Sequence, residues 1–214
     1  GEKGRNYYSP DDWQVKIAES EQPSWKPQGD IPQQALGFRI QLYGMDEYHK
    51  LFTPRQLVAL TTFSDLIAEA RTQTHADALL AGLADDDIPL RDGGRGALAY
   101  SEAVSVYLAF AVDKQSDYNS NLCSWHNSGE KMRNTFGRQA LPMIWDYAEV
   151  NPFSDSSGNW LACIEWVWKA IERTPAVLAG EATQQNAMEL HLDNIITIST
   201  DPPYYDNIGY ADLS

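Results

Sequence analysis

Several stretches of the chain carry apolar residues at the 3.6-residue spacing of an α-helix, and that periodicity constrains the fold more than any other feature. The first opens at Thr53-Pro54, an N-cap followed by a first-turn proline, and runs through Leu57, Leu60, Phe63, Leu66 and Ile67 to about Ala70. A short second helix is expected over residues 75–83. A longer one, over about 97–117, uses Leu98, Val104, Tyr107, Leu108, Ala111 and Val112, and its composition predicts that it is mostly buried. The last, over 159–172, carries Trp160, Ile164, Trp166, Val167, Trp168 and Ile171. Trp160, Ile164, Val167 and Ile171 share one face, so the tryptophans read as core packing rather than as platforms for stacked bases.

Other segments lack this period. Residues 1–35 are rich in Pro, Asp, Gln and Lys, and Pro23, Pro27 and Pro32 interrupt any helix, so they read as an extended arm. Over 37–43, Phe38, Ile40 and Leu42 alternate with Arg39 and Gln41, which predicts a short strand before the turn Gly44-Met45-Asp46. From Pro175 the pattern changes to short apolar runs, Ala176-Val177-Leu178-Ala179 and then Ile195-Ile196-Thr197-Ile198, the second β-branched and ending in Ser199-Thr200-Asp201-Pro202-Pro203-Tyr204. The expected division is an arm over 1–35, a helix-rich domain with a short strand over 36–174, and a final segment over 175–214.

Composition narrows the partners. The 214 residues include 7 Trp, 11 Tyr and 6 Phe, enough aromatic material for a real core, and the longest apolar run is too short to span a bilayer. No leader pattern is visible at Gly1-Glu2-Lys3-Gly4-Arg5, and a cytoplasmic location follows by default. A net charge of −14 repels a polyanion at long range, which argues against an isolated DNA-binding module. Cys123 and Cys163 are far apart and read as buried free thiols, and His49, His75, His126 and His191 show no metal-ligand spacing, so no metal site is expected. Asp85-Asp86-Asp87 reads as an exposed acidic turn, because no calcium-loop spacing follows it. Gly93-Gly94-Arg95-Gly96 has no Gly-Lys-Ser/Thr after it and carries little weight as a phosphate cradle.

Asp201-Pro202-Pro203-Tyr204 is the motif that carries chemistry. Methyl transfer to an exocyclic amine requires the nitrogen lone pair to turn out of the purine ring, and two fixed hydrogen-bond acceptors favour that geometry. The Asp201 carboxylate can accept from one N–H and the Pro202 carbonyl from the other. Each proline fixes φ near −65° and lacks an N–H, so the corner is rigid and presents carbonyls without competing donors. Tyr204 supplies a flat face for an extruded base, a contact worth about 1–3 kcal/mol in other systems. The motif also follows an expected strand end, where open α/β sheets bind ligands. The competing reading is a surface turn, since Asp and Pro favour turns.

Residues 195–214, IITISTDPPYYDNIGYADLS, closely resemble the segment around the catalytic motif of adenine-specific DNA methylases with an inserted zinc ribbon. LFTPRQLVALTTFSDLI from Leu51 and TFGRQALPMIWDYAEVNPFS from Thr135 also resemble that family, so the likeness covers most of the chain from about Gly37. It implies an α+β chain in which a helix-rich insertion joins part of a Rossmann-like methyltransferase sheet, with S-adenosylmethionine as cofactor. The glycine-rich cofactor loop and the zinc ribbon of the family would precede this region, so the chain reads as a fragment of a larger enzyme and is expected to be inactive in isolation.

The same resemblance makes Asp201, Pro202, Pro203 and Tyr204 the catalytic residues and adenine N6 in DNA the acceptor, in a bacterial restriction-modification or phage-defence setting. Glu181 is similar in position to an acid beside the cofactor adenine, and an ordinary surface acid is an equal reading. Tyr205, Asp206 and Asn207 follow in the family-like block without an assignable role. Arg138, before an expected apolar helix, could meet a DNA phosphate, although a structural salt bridge is the stronger reading. Similar loops also serve RNA and protein-amide methyltransferases. Outside the enzyme class, the helices could dock partner subunits of a defence complex.

Overall fold

The structure, a computed structural model, describes residues 6–33, 37–137, 140–175, 180, 186–189 and 197–201. The described chain is helix-rich α+β: α1 (Asp12–Ser20), α2 (Pro54–Leu80), α3 (Ala97–Tyr118), β1 (Ser124–His126), β2 (Lys131–Arg133) and α4 (Trp160–Arg173). The two strands form one antiparallel hairpin, the only sheet among the described residues.

Within residues 1–35 the chain is not extended throughout. Asp11 and Gln14 form a capping box, at 2.9 and 3.0 Å, and start α1 upstream of the prolines that would have broken it. The alternation over 37–43 does not produce a strand either. Ile40–Tyr43 is a 3₁₀ turn closed by Gly44 at φ 88°, so Ile40 is buried while Leu42 is 83 % exposed. A strand would have put both on one face.

Thr53 and Gln56 form a second capping box, with Pro54 in the first turn, and start α2 as expected. The two helices anticipated over 53–70 and 75–83 are one, because Arg71-Thr72-Gln73-Thr74 contains no glycine or proline to stop it. The helix ends before Gly82, at φ 90°. Helix α3 packs on α2, with the Arg71–Glu102 ion pair between them, and Asp85 links His75 near the end of α2 to Leu98 at the start of α3. Its buried face is built from Ala97, Ala99, Ser101, Ala111 and Gln115, not from its large residues. Tyr100, Tyr107 and Phe110 are exposed, so the expectation of a mostly buried helix is corrected.

Helix α4 starts at the Asn159 cap, whose side chain accepts from the Ala162 N–H at 2.8 Å. Trp160 stacks on Phe63 of α2 with centroids 4.3 Å apart. Ile164 and Val167 are half-buried, whereas Ile171, Trp166 and Trp168 are exposed, so only part of the expected core face is packed. Both cysteines are buried, and burial pushes the Cys163 thiol up to about 11. No helix follows residues 137–139, since 140–158 are turns and irregular chain.

Two apolar clusters hold the remainder. Ile31, Ile40 and Leu51 meet Leu122 and Leu141 across more than half the sequence, and Cys123, Met132 and Val150 pack beneath the hairpin. Burying one such aliphatic side chain contributes about 1.5–3 kcal/mol. Gln115 joins α3 to the start of α4: its amide donates to the Gly158 carbonyl at 2.9 Å, and its oxygen accepts from the Cys163 thiol at 3.5 Å. Gly158 has φ 84° and lies against Tyr118, so the joint tolerates no side chain there. Gln115→Ala is expected to destabilise the fold by about 2–4 kcal/mol, from a lost buried hydrogen bond and a cavity. Urea unfolding of the variant measures this, and a midpoint equal to the parent's would refute the role of the joint.

Candidate functional site

Thr197 to Asp201 run as exposed chain outside any strand, so the described part of the expected β-branched strand is not one. Ile195 and Ile196 lie outside the described residues, as do Pro202, Pro203, Tyr204, Tyr205, Asp206 and Asn207. Glu181, Arg138, His191 and the run Ala176-Val177-Leu178-Ala179 lie outside them as well. Asp201 is exposed and makes no hydrogen bond or ion pair among the described residues.

The acidic turn resolves into a structural clasp. Asp85 Oδ2 pairs with His75 Nε2 of α2 at 2.6 Å, while Asp85 Oδ1 accepts from the N–H groups of Asp87 and Leu98. Asp86 accepts from Ile88 and Arg95. Leu98 lies in the first turn of α3, where backbone N–H groups lack intrahelical partners, so the loop caps the helix that Gly96 leaves without a side-chain cap. A Cβ at Gly94 would collide with the Ile88 carbonyl, which explains that glycine without a phosphate. No group of three or more His, Cys, Asp or Glu side chains suited to a metal ion occurs among the described residues.

Beside this clasp, Ser64, Arg71, Thr72, His75, Ser101 and Ser105 line an open groove between α2 and α3. Serines near a His–Asp pair suggest nucleophilic chemistry, yet the Ser101 and Ser105 hydroxyls are engaged elsewhere. Ser101 donates to the Leu98 carbonyl at 2.8 Å and Ser105 to the Ser101 carbonyl at 2.7 Å. The groove is a helix seam.

Sequence reasoning missed the hairpin, whose strands are three residues each, too short for an alternation to register. Its position is set by Asp117 at the end of α3. The Asp117 carbonyl accepts from the Thr135 N–H at 2.8 Å and hydroxyl at 2.9 Å. Its carboxylate accepts from Asn134 Nδ2 at 2.8 Å and the Phe136 N–H at 2.9 Å. These bonds bring residues 134–136 back against the helix. Leu122, Ser124, Arg133, Asn134, Thr135, Gly137 and the 140–144 segment enclose a pocket there of ≈ 380 Å³.

No family model matches the chain, and neither does any curated protein or solved structure.

The hydrogen bond from His75, and next the backbone bonds from Leu98 and Asp87, hold the Asp85 carboxyl below its ordinary value of 3.8. A depressed carboxyl contributes stability that is fully present above its ordinary value and is lost as pH falls through the folded-state value. Asp85→Ala is expected to lower the urea midpoint at pH 7 and to flatten its decline below about pH 4. Equal pH profiles for parent and variant would contradict the clasp.

Proposed function

We propose that this chain carries the catalytic corner of an S-adenosylmethionine-dependent DNA methyltransferase acting on adenine N6. By the resemblance, it works within a larger enzyme of a bacterial restriction-modification or phage-defence system. The observation that carries the proposal is the block IITISTDPPYYDNIGYADLS, in which a consecutive-proline corner follows an acid. The exposure of Asp201 and its freedom from partners among the described residues support the reading, because a carboxylate sealed in a core could not meet a nucleobase.

In this reading Asp201 and the Pro202 carbonyl accept the two amine hydrogens, and Tyr204 stacks on the extruded base. The cofactor supplies the methyl group, and Glu181 is the candidate for its adenine. DNA is the partner, with defence-system subunits beside it. The competing reading, a helical module that docks such subunits, draws on the outward side chains of α4: Leu161 is 75 % exposed, Trp166 69 % and Trp168 47 %.

Methylation-sensitive sequencing of DNA from cells expressing the complete protein tests substrate, chemistry and residue together. Adenine methylation is expected, reduced by about 100-fold or more in Asp201→Ala, the scale on which losing one preorganised transition-state contact acts. Absence of adenine methylation from the parent would overturn the enzymatic reading. Subunits retained by Asp201→Ala in a pull-down would then favour the docking module.

A further inference from the structure

The chain has 30 acids and 16 bases, yet residues 119–145 carry Lys131, Arg133 and Arg138 against Glu130 alone. The hairpin register sorts this segment by face. Ser124 pairs with Arg133, Trp125 with Met132 and His126 with Lys131. Side chains alternate along a strand, so Ser124, His126, Lys131 and Arg133 share one face while Met132 turns inward to Cys123 and Val150. The polar face is thus basic, and its Ser124–Arg133 end lines the ≈ 380 Å³ pocket.

Arg133 is exposed and has no ion-pair partner among the described residues, in contrast to Arg55 and Arg71, which are held by Glu149 and Glu102. The Ser124 hydroxyl also lines the pocket, with apolar Leu122 and Ile144, while the Asn134 and Thr135 side chains that line it are held by Asp117 and Ser120. Phe136, between pocket residues Thr135 and Gly137, is 57 % exposed. Asp117, which fixes this loop, has its carboxylate engaged by Asn134 and the Phe136 N–H, with Lys114 at 3.9 Å. At the neighbouring edge the Arg39 N–H donates to the Leu141 carbonyl, bringing a further exposed arginine to the same loop.

We propose that the basic face of the β1–β2 hairpin and its pocket bind a backbone phosphate of an unstacked DNA strand, with Arg133 on the phosphate and Phe136 against a base. This rests on the methyltransferase reading only for the identity of the strand as DNA. The residues are those such binding needs: a planar guanidinium to fork onto phosphate oxygens, the Ser124 hydroxyl beside it, and an exposed ring that stacks on any base. Reaching an adenine amine requires the base to leave the duplex, and a separate grip on the backbone would hold the strand while it does so. The site also differs chemically from the sequence Asp201-Pro202-Pro203-Tyr204, which contains no Lys or Arg.

Fluorescence anisotropy of the 214-residue chain with a labelled oligothymidylate, titrated over a range of salt, tests the proposal. Arg133→Gln is expected to weaken binding by about 3–10-fold and to reduce the slope of log K against log salt by about 1, while Arg133→Lys retains the slope. Phe136→Ala should weaken binding without changing the slope. Arg173→Gln, on α4, should leave both unchanged, and thermal melting checks that every variant folds. Absence of binding, or binding indifferent to Arg133→Gln, overturns the proposal. Equal displacement by inorganic phosphate at the oligonucleotide's own phosphate concentration would overturn the strand assignment by identifying a free-anion site. Oligothymidylate carries no adenine amine, so this binding does not draw on the contacts proposed for the Asp201 corner. Arg133-dependent binding therefore survives a failed methylation assay, and methylation survives a failed binding assay.

Discussion

Asp117 is the hinge on which the hairpin half of the molecule depends. It lies in the last turn of α3, where the helix dipole disfavours a negative charge by about 0.3–1 kcal/mol. The placement holds because the carboxylate meets Asn134 and a backbone N–H, with Lys114 one turn earlier. Its carbonyl simultaneously takes two bonds from Thr135. The Thr135 hydroxyl then meets the buried Ser120 hydroxyl at 2.7 Å, and Cys123 Sγ lies 3.4 Å from the Thr135 hydroxyl oxygen. One residue thus fixes a buried polar network, the hairpin above it and the pocket beside it. Such a network stabilises only when every member has a partner, so the chain's path from 117 to 136 leaves little freedom.

At the other end of α3 the constraint is size rather than charge. Alanines and serines on the α2-facing side let the backbones approach closely, and close approach leaves no room for Tyr100, Tyr107 or Phe110 between them. Those rings therefore face outward, and the clasp of Asp85 and Asp86 sets the depth at which α3 begins. The exposed rings are a consequence of this packing, as are the outward tryptophans of α4, which packs on α3 through Cys163 and Gln115. Exposure on this side thus arises from how the helices approach one another, whereas Arg133 of the hairpin, without an ion-pair partner among the described residues, has no such packing origin.

How far the sequence could be read follows from where local signals agreed with tertiary ones. Thr53-Pro54 and Asn159 are caps whose chemistry is complete within four residues, and both helices begin where expected. Asp11 and Gln14 form the same device, but three downstream prolines dominated the reading of the arm. The alternation of Phe38, Ile40 and Leu42 was a true period-2 signal with no strand to pair with, and Gly44 closed it into a turn instead. The hairpin was invisible because three-residue strands carry no period, although the run of bases against Glu130 was legible as charge. Of the predicted chemical corner, the exposed Asp201 is the one member that the structure describes.

Net charge and local charge answer different questions about a polyanion. A total of −14 acts on the approach, because fields from scattered acids add at distances beyond the molecule. Within about 8–10 Å, the screening length at ordinary salt, only nearby groups count. The residues that line the pocket, Arg133 with Ser124, Asn134 and Thr135 among them, include no acid, so a phosphate that reaches it meets a basic lining on an acidic protein. The net charge therefore opposes the approach, while the local charge at Arg133 sets the grip at close range. Because the pocket neutralises few phosphates, the salt dependence of this grip is shallow.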